Sequence, residues 1–179
     1  TTYAHDDHER VKTETKRGIN DQADIVTTYT YDGEDRILKK EIEGGALKLV
    51  EEWTYDLAGR ITSRRDQNGY TTTYAYENDG RKVTRTNPDT SVVVTERFRD
   101  GRIKSVSGSG TVDEYYAYSV NADGSITSDK TVGRTDSSRV LTTTEDILNR
   151  VVERRRPGYG GSDFVINFEY DNEGFPVKQ

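Results

Sequence analysis

One phrase returns along this chain and narrows what it can fold into: an aromatic residue at i and again at i+2, an acid, two free positions, a glycine, an arginine and a β-branched residue. It reads "WTYDLAGRI" from Trp53 to Ile61, "YTYDGEDRI" from Tyr29 to Ile37 and "YAYENDGRK" from Tyr74 to Lys82. Looser copies are anchored at His5, Phe98, Tyr118, Glu145 and Tyr170, so anchors at 5, 31, 55, 76, 98, 118, 145 and 170 follow one another at 20 to 27 residues. Self-similarity at such a period marks an array of like units. We read residues 1–179 as a single array of about eight repeats of about 24 residues, cut from a longer protein.

Each unit reads as a β-hairpin. In "YDLAGRI" Asp56 stands where a type I turn takes an acid that bonds its own backbone, and Gly59 where the chain must turn left-handed. A three-residue loop of this kind closes with a bulge at the glycine. That geometry sets Asp56 opposite Arg60, Tyr55 opposite Ile61 and Trp53 opposite Ser63. Trp53, Tyr55 and Ile61 then share one face, and Thr54, Thr62 and Arg64 the other, because side chains alternate along a strand. The repeat signature is Tyr31, Asp32 and Arg36; Tyr55, Asp56, Gly59 and Arg60; Tyr76, Gly80 and Arg81; Gly101 and Arg102; Tyr118 and Gly124; Asp146 and Arg150; and Tyr170, Asp171 and Gly174. Glu9, Asp35 and Asn149 take the left-handed position in place of glycine, where Asp and Asn are tolerated and Glu is poor. The loop after Tyr118 reads two residues longer and the Phe98 loop shorter, so both units are expected to be distorted. Side-by-side hairpins would line rings up from unit to unit.

The expected fold is therefore all-β: tandem antiparallel hairpins in a continuous curved sheet, a partial shell or roll. No stretch keeps a 3.6-residue apolar period over three turns. The nearest, "TTTEDILNRVVERRR" from Thr142 to Arg156, also aligns with the repeat and is read as strand. With 31% hydrophobic and 32% charged residues, the chain suits an array with two solvated surfaces better than a deep core. Its twelve Tyr and many Val, Ile and Thr are strand formers. A net charge of −6 argues against nucleic acid, and no apolar run approaches a membrane span. The absence of Cys excludes disulfides and thiol chemistry.

The phrase Tyr-Asp-x-x-Gly-Arg-Ile from Tyr55 to Ile61, with its looser forms at Tyr31 and Tyr76, resembles the YD repeat of the Rhs family. That family includes bacterial polymorphic toxins, shell components of insecticidal toxin complexes and teneurins. The resemblance implies a long antiparallel sheet that spirals into a hollow shell around a sequestered domain, or displays a surface, on a secreted or cell-surface protein. Partners are then the remainder of the parent chain or an enclosed domain. Eight units are too few to close a shell, so exposed edges and self-association through edge strands are expected. "RPGYGG" at Arg156–Gly161 does not match the self-cleaving motif that commonly ends such shells, and no toxin-like segment follows.

Other constellations favour structural readings. "HDDH" at His5–His8 offers metal-ligand chemistry but sits on a turn that needs polar residues. Asp32, Asp56, Asp100 and Asp171 lack the spacing of calcium loops and are read as turn caps. Neither a pair of acids nor a nucleophile with a base is singled out, so no enzyme and no cofactor is expected. "RVVERRR", with Arg150, Val152, Arg154 and Arg156 alternating, reads as a solvated outer strand rather than a phosphate site. Trp53, Tyr74 and Tyr116 are the rings that would stack on a glycan. Packing against neighbouring strands is their competing role, and a glycan- or protein-binding module is the alternative to the shell.

Overall fold

The structure, a computed structural model, describes residues 1–19, 22–136 and 138–178. Its strands are β1 (Thr2–His5), β2 (Val11–Lys16), β3 (Ile25–Tyr31), β4 (Ile37–Gly44), β5 (Leu47–Tyr55), β6 (Ile61–Arg65), β7 (Thr71–Glu77), β8 (Lys82–Thr86) and β9 (Val92–Arg97). There follow β10 (Ile103–Ser107), β11 (Glu114–Val120), β12 (Ile126–Val132), β13 (Val140–Glu145), β14 (Val151–Pro157), β15 (Asp163–Asn167), β16 (Glu169–Tyr170) and β17 (Pro176–Lys178). The first fifteen are hydrogen-bonded in strict chain order in one antiparallel sheet, and β16 pairs with β17. The fold is all-β, as the turn chemistry predicts. Thr142–Glu145 and Val151–Arg156 are strand.

By internal packing the chain forms two units, residues 1–75 with 85–90 and residues 76–84 with 91–179. Neither has a core in the usual sense. Among the described residues no apolar side chain is buried, and the most enclosed residue is Ser125, at 6% exposure. A chain with so few hydrophobic residues cannot cover both faces of a sheet. It relies instead on backbone ladders and on cross-strand pairs. In the first unit Lys40 lies opposite Glu51, whose carboxylate is 3.8 Å from the Lys40 Nζ and 3.2 Å from Arg64 Nη2. Chains of opposite charge across three strands of this kind hold register more than they add stability.

The hairpin loops have the expected frame. Asp56 donates its N–H to the Arg60 carbonyl at 2.9 Å, and Gly59 donates to the Asp56 carbonyl at 3.0 Å. Gly59 is left-handed at φ +79°, and Glu9, Asp35 and Asn149 hold the same place at +62°, +63° and +59°. Tyr55 lies opposite Ile61. One step farther the expected pairing fails, because a second bulge leaves Thr62 as the extra residue: Thr54 meets Ser63, and Trp53 meets Arg64 rather than Ser63. Arg64 therefore joins the face of Trp53. Thr62 stays beside Thr54, their hydroxyls 2.8 Å apart. The same shift recurs where Tyr31 meets Ile37 and Thr30 meets Lys39, and again where Glu145 meets Val151 and Thr144 meets Glu153. Two bulges in one short hairpin re-aim every side chain beyond them.

The Phe98 and Tyr118 loops are regular, contrary to expectation. Phe98 donates to the Arg102 carbonyl at 2.9 Å and Gly101 to Phe98 at 3.1 Å, so Phe98 occupies the place of the acid, not of the tyrosine. Asn121 and Ser125 bound the next loop in the same way. The two additional residues after Tyr118, Ser119 and Val120, lengthen the strand and pair with Thr127 and Ile126.

Glycine requirements differ within one kind of turn. Gly33 has no left-handed backbone, and a Cβ there meets nothing within 4 Å, whereas Gly59 is left-handed. Thermal unfolding should show Gly59→Ala destabilising by about 1 kcal/mol and Gly33→Ala stabilising by about 0.5 kcal/mol. Equal effects would contradict the assigned turn geometry.

Candidate functional site

The repeat signature converges on one constellation that, in the regular repeats, joins a hairpin to the next. A three-residue loop places its first and last flanking residues, four apart in sequence, directly across the hairpin, so an acid and an arginine there face the same way. At Asp56 the Oδ1 accepts the N–H of Ala58 and of Arg60, each at 2.9 Å, and the Oδ2 accepts Arg60 Nε at 2.7 Å and Nη2 at 2.7 Å. One carboxylate thus closes the turn with one oxygen and holds two nitrogens of a guanidinium with the other, a charge-assisted contact. Asp6 with Arg10, Asp32 with Arg36 and Asp146 with Arg150 repeat it, with Nε to Oδ2 distances of 2.7, 2.6 and 2.8 Å.

The immobilised guanidinium lies on the tyrosine of the following hairpin. Arg10 stands 4.7 Å from the Tyr31 ring centroid and Arg36 4.8 Å from that of Tyr55 in the first unit; in the second, Arg150 stands 4.9 Å from Tyr170. Each tyrosine closes the loop by donating its hydroxyl back to the carbonyl after that arginine: Tyr31 to Val11 at 2.8 Å, Tyr55 to Ile37 at 2.9 Å and Tyr170 to Val151 at 2.8 Å. Arg10 Nη1 also reaches the Asp32 carbonyl at 3.1 Å and Asp35 Oδ1 at 2.6 Å. Acid, arginine and tyrosine form a clasp with a charge-assisted half and a cation–π half. The expected ring-on-ring ladder is thus largely an alternation of guanidinium and ring. Ring contacts are found between Tyr29 and Tyr31 at 6.4 Å and edge-on between Phe98 and Tyr118 at 5.9 Å.

Irregular repeats show how the device adapts. Where Phe98 replaces the acid, Asp100 takes Arg102 Nε at 2.7 Å from two residues away, and the guanidinium still settles 4.5 Å from the Tyr118 ring, whose hydroxyl donates to Ile103 at 3.0 Å. Asn121 and Ser125 replace the charged pair by an amide–hydroxyl bond of 2.8 Å that continues to Thr127 and Thr144. Gly124 is the left-handed residue of that loop. After Tyr76 the acid position holds Glu77, which pairs with Lys82 at 3.1 Å, while Asn78, Asp79 and Gly80 are left-handed in succession and Arg81 Nε donates to the Asn78 carbonyl. Asp171 closes its turn onto Glu173 and Phe175, with Gly174 left-handed and Phe175 where an arginine stands elsewhere.

The clasps perturb the acids. Hydrogen bonding from the Arg10 side chain brings the Asp6 carboxyl down to about 2 against the opposing effect of burial. The side chains of Arg60 and Arg102 likewise lower Asp56 and Asp100, and the Arg150 backbone N–H leads in lowering Asp146. For Asp32 burial pushes upward, and the combined backbone and side-chain bonds from Arg36 outweigh it. Burial raises the Tyr31 and Tyr118 phenols.

The other sequence candidates lie apart from this constellation. Trp53 and Tyr74 are half-buried on β5 and β7. Tyr116 donates to Glu114 at 2.7 Å and carries Lys130 5.7 Å from its ring. His5 pairs with Val11 in the strand ladder, Asp6 belongs to the clasp, and among the described residues no group of three His, Cys, Asp or Glu is disposed to hold a metal ion. Arg154 and Arg156 are not simply solvated: they lie over Phe168 and Phe164 at 5.6 and 4.7 Å. Sequence reading passed over Asp6 and Arg10 as clasp partners, although "DDHER" carries the acid–arginine spacing of four, and over the two-residue spacing of Asp100 and Arg102.

Residues 55–92 match the RHS repeat family. The matched segment contains Tyr55, Asp56, Gly59, Arg60, Tyr76, Gly80 and Arg81, so the resemblance to the Rhs family carried by the YD phrases is found independently. No curated protein matches the chain. Among solved structures, a chain of the crystal structure of TcdB2–TccC3–Cdc42 is similar in fold, with a TM-score of 0.61 and 14% identity over 95% of this chain. This chain spans 10% of the length of that one.

Three outcomes follow from the clasp. Tyr55→Phe, which removes only the hydroxyl bond to Ile37, should cost about 1 kcal/mol in urea unfolding, and Arg36→Lys should lower the midpoint more than Arg64→Lys does. An acid whose folded pKa lies below its unfolded one contributes stability that is complete above the unfolded value and is lost as pH falls through the folded value. For Asp6 that window runs from 3.8 down to about 2, and Asp32, Asp56 and Asp146 shift in the same sense. Unfolding free energy should therefore fall between about pH 4 and pH 2, and less steeply in an Asp6→Asn/Asp32→Asn/Asp56→Asn variant. Equal slopes would contradict the clasp.

Proposed function

We propose that this chain is a structural segment of an Rhs-type shell, which encloses or displays another domain of a secreted or cell-surface protein. The clasp carries the reading. It joins hairpin to hairpin, recurs with the repeat, and commits acid, arginine and phenol to one another rather than to a ligand. The match of residues 55–92 to the RHS repeat and the likeness to a chain of which this one covers 10% support it. The eight repeats act as one array and the role is mechanical rather than catalytic.

The partners are the remainder of the parent chain and the domain it sequesters. A wall of this sort need not bury apolar surface on both sides, because its outer face meets water and its inner face meets cargo. In the fifteen-strand order β1 and β15 pair on one side only, which is where adjoining repeats, or another copy, would add. Among the described residues no helix is long and apolar enough to cross a membrane. The glycan-binding alternative is disfavoured at Tyr116, whose hydroxyl and ring are already engaged by Glu114 and Lys130.

Limited proteolysis of the full parent chain tests the proposal. The non-repeat domain should be cut at least about tenfold more slowly inside the parent than when produced alone, since protection follows the population of opened states. Equal rates would refute enclosure.

A further inference from the structure

On β14 and β15 the face that carries the rings also carries two arginines without an acid. Arg154 lies opposite Ile166 and Arg156 opposite Phe164, and alternation puts all four on one side of the sheet. Arg156 stands 4.7 Å over the Phe164 ring and Arg154 5.6 Å over that of Phe168, a cation–π contact that restrains a guanidinium without using its N–H groups as hydrogen-bond donors. Among the described residues no carboxylate lies within ion-pair reach of either group. Leu141, Thr143 and Arg155 complete a hollow of about 400 Å³ with Arg154, Arg156, Phe164 and Ile166.

A comparable hollow in the first unit shows the contrast. Its cations are neutralised in place: Lys39 Nζ is 2.9 Å from Glu41, and Arg65 Nη1 is 3.2 Å from Glu52. In an acidic chain, two restrained and unneutralised guanidinium groups over an apolar floor are a complementary surface for negative charge. Arg154 and Arg156 are two residues apart on a strand, so their stems are separated by about 7 Å, the repeat between i and i+2 side chains of any extended chain.

We propose that this hollow binds an extended acidic polypeptide segment, whose carboxylates at i and i+2 pair with Arg154 and Arg156 and whose flanking apolar residues on the same face rest on Leu141 and Phe164. Polyphosphate is a poorer occupant, since it has no apolar group to rest on Leu141 and Phe164 and carries its charge on past the two arginines over a chain of net charge −6. The inference stands apart from the shell reading.

The probe is a fluorescein-labelled peptide Leu-Ser-Glu-Ser-Glu-Ser-Leu, titrated by anisotropy against the whole chain, with the lysine-for-glutamate peptide and a single-stranded oligothymidylate as comparisons. The acidic peptide should bind at least about tenfold more tightly than either, and Arg154→Gln/Arg156→Gln should weaken it about tenfold. Lys104→Gln/Arg134→Gln, which removes the same charge at residues paired with Glu96 and Asp136, should leave affinity unchanged. Arg156→Lys keeps the charge and should still weaken binding several-fold through loss of the bidentate fork. No binding, equal loss in the Lys104/Arg134 variant, or preference for the oligonucleotide would each overturn the proposal.

Discussion

The regular repeats of this fold depend on one carboxylate doing two things at once. In each regular repeat the aspartate accepts two backbone N–H groups, which closes the turn, and accepts an arginine side chain, which fixes where a guanidinium will stand. The first function is local and belongs to the hairpin. The second is non-local, because the guanidinium comes to rest on the tyrosine about twenty residues on. A sheet without buried apolar side chains needs such a link, since backbone ladders alone leave strand register weakly specified.

The tyrosine completes the circuit. Its ring receives the cation and its hydroxyl returns to the carbonyl after the arginine, so one residue holds its neighbour by face and by edge. This explains why the repeat tolerates losses that a packed core would not. When the acid moves from the Phe98 position to Asp100, the guanidinium still arrives at Tyr118, and when the charged pair is replaced by Asn121 and Ser125, hydroxyl groups carry the contact onward. In these repeats the bridge between hairpins is kept while the side chains that make it change.

Hairpin order, turn type and the left-handed positions were legible in the sequence because they follow from glycine and aspartate chemistry within five residues. The pairing of Trp53 was not, because the second bulge at Thr62 has no glycine or proline to announce it. Phe98 and Tyr118 misled for a related reason: alignment on an aromatic residue assumes that the ring marks the loop, whereas the loop is marked by the left-handed residue three positions after its first. Counting back from Gly101 and Gly124 recovers both frames. The arginines at 154 and 156 looked solvated because the rings beneath them, Phe164 on the next strand and Phe168 just after it, share no motif with them.

The claim that the clasp is one cooperative link, rather than a turn beside an incidental ring contact, is tested most directly by a double-mutant cycle on Arg36 and Tyr55. Arg36→Ala, Tyr55→Leu and the pair are compared by denaturant unfolding. The account predicts a coupling free energy larger than the about 0.5 kcal/mol within which independent sites add, with either substitution abolishing most of the effect of the other. Strict additivity would contradict it.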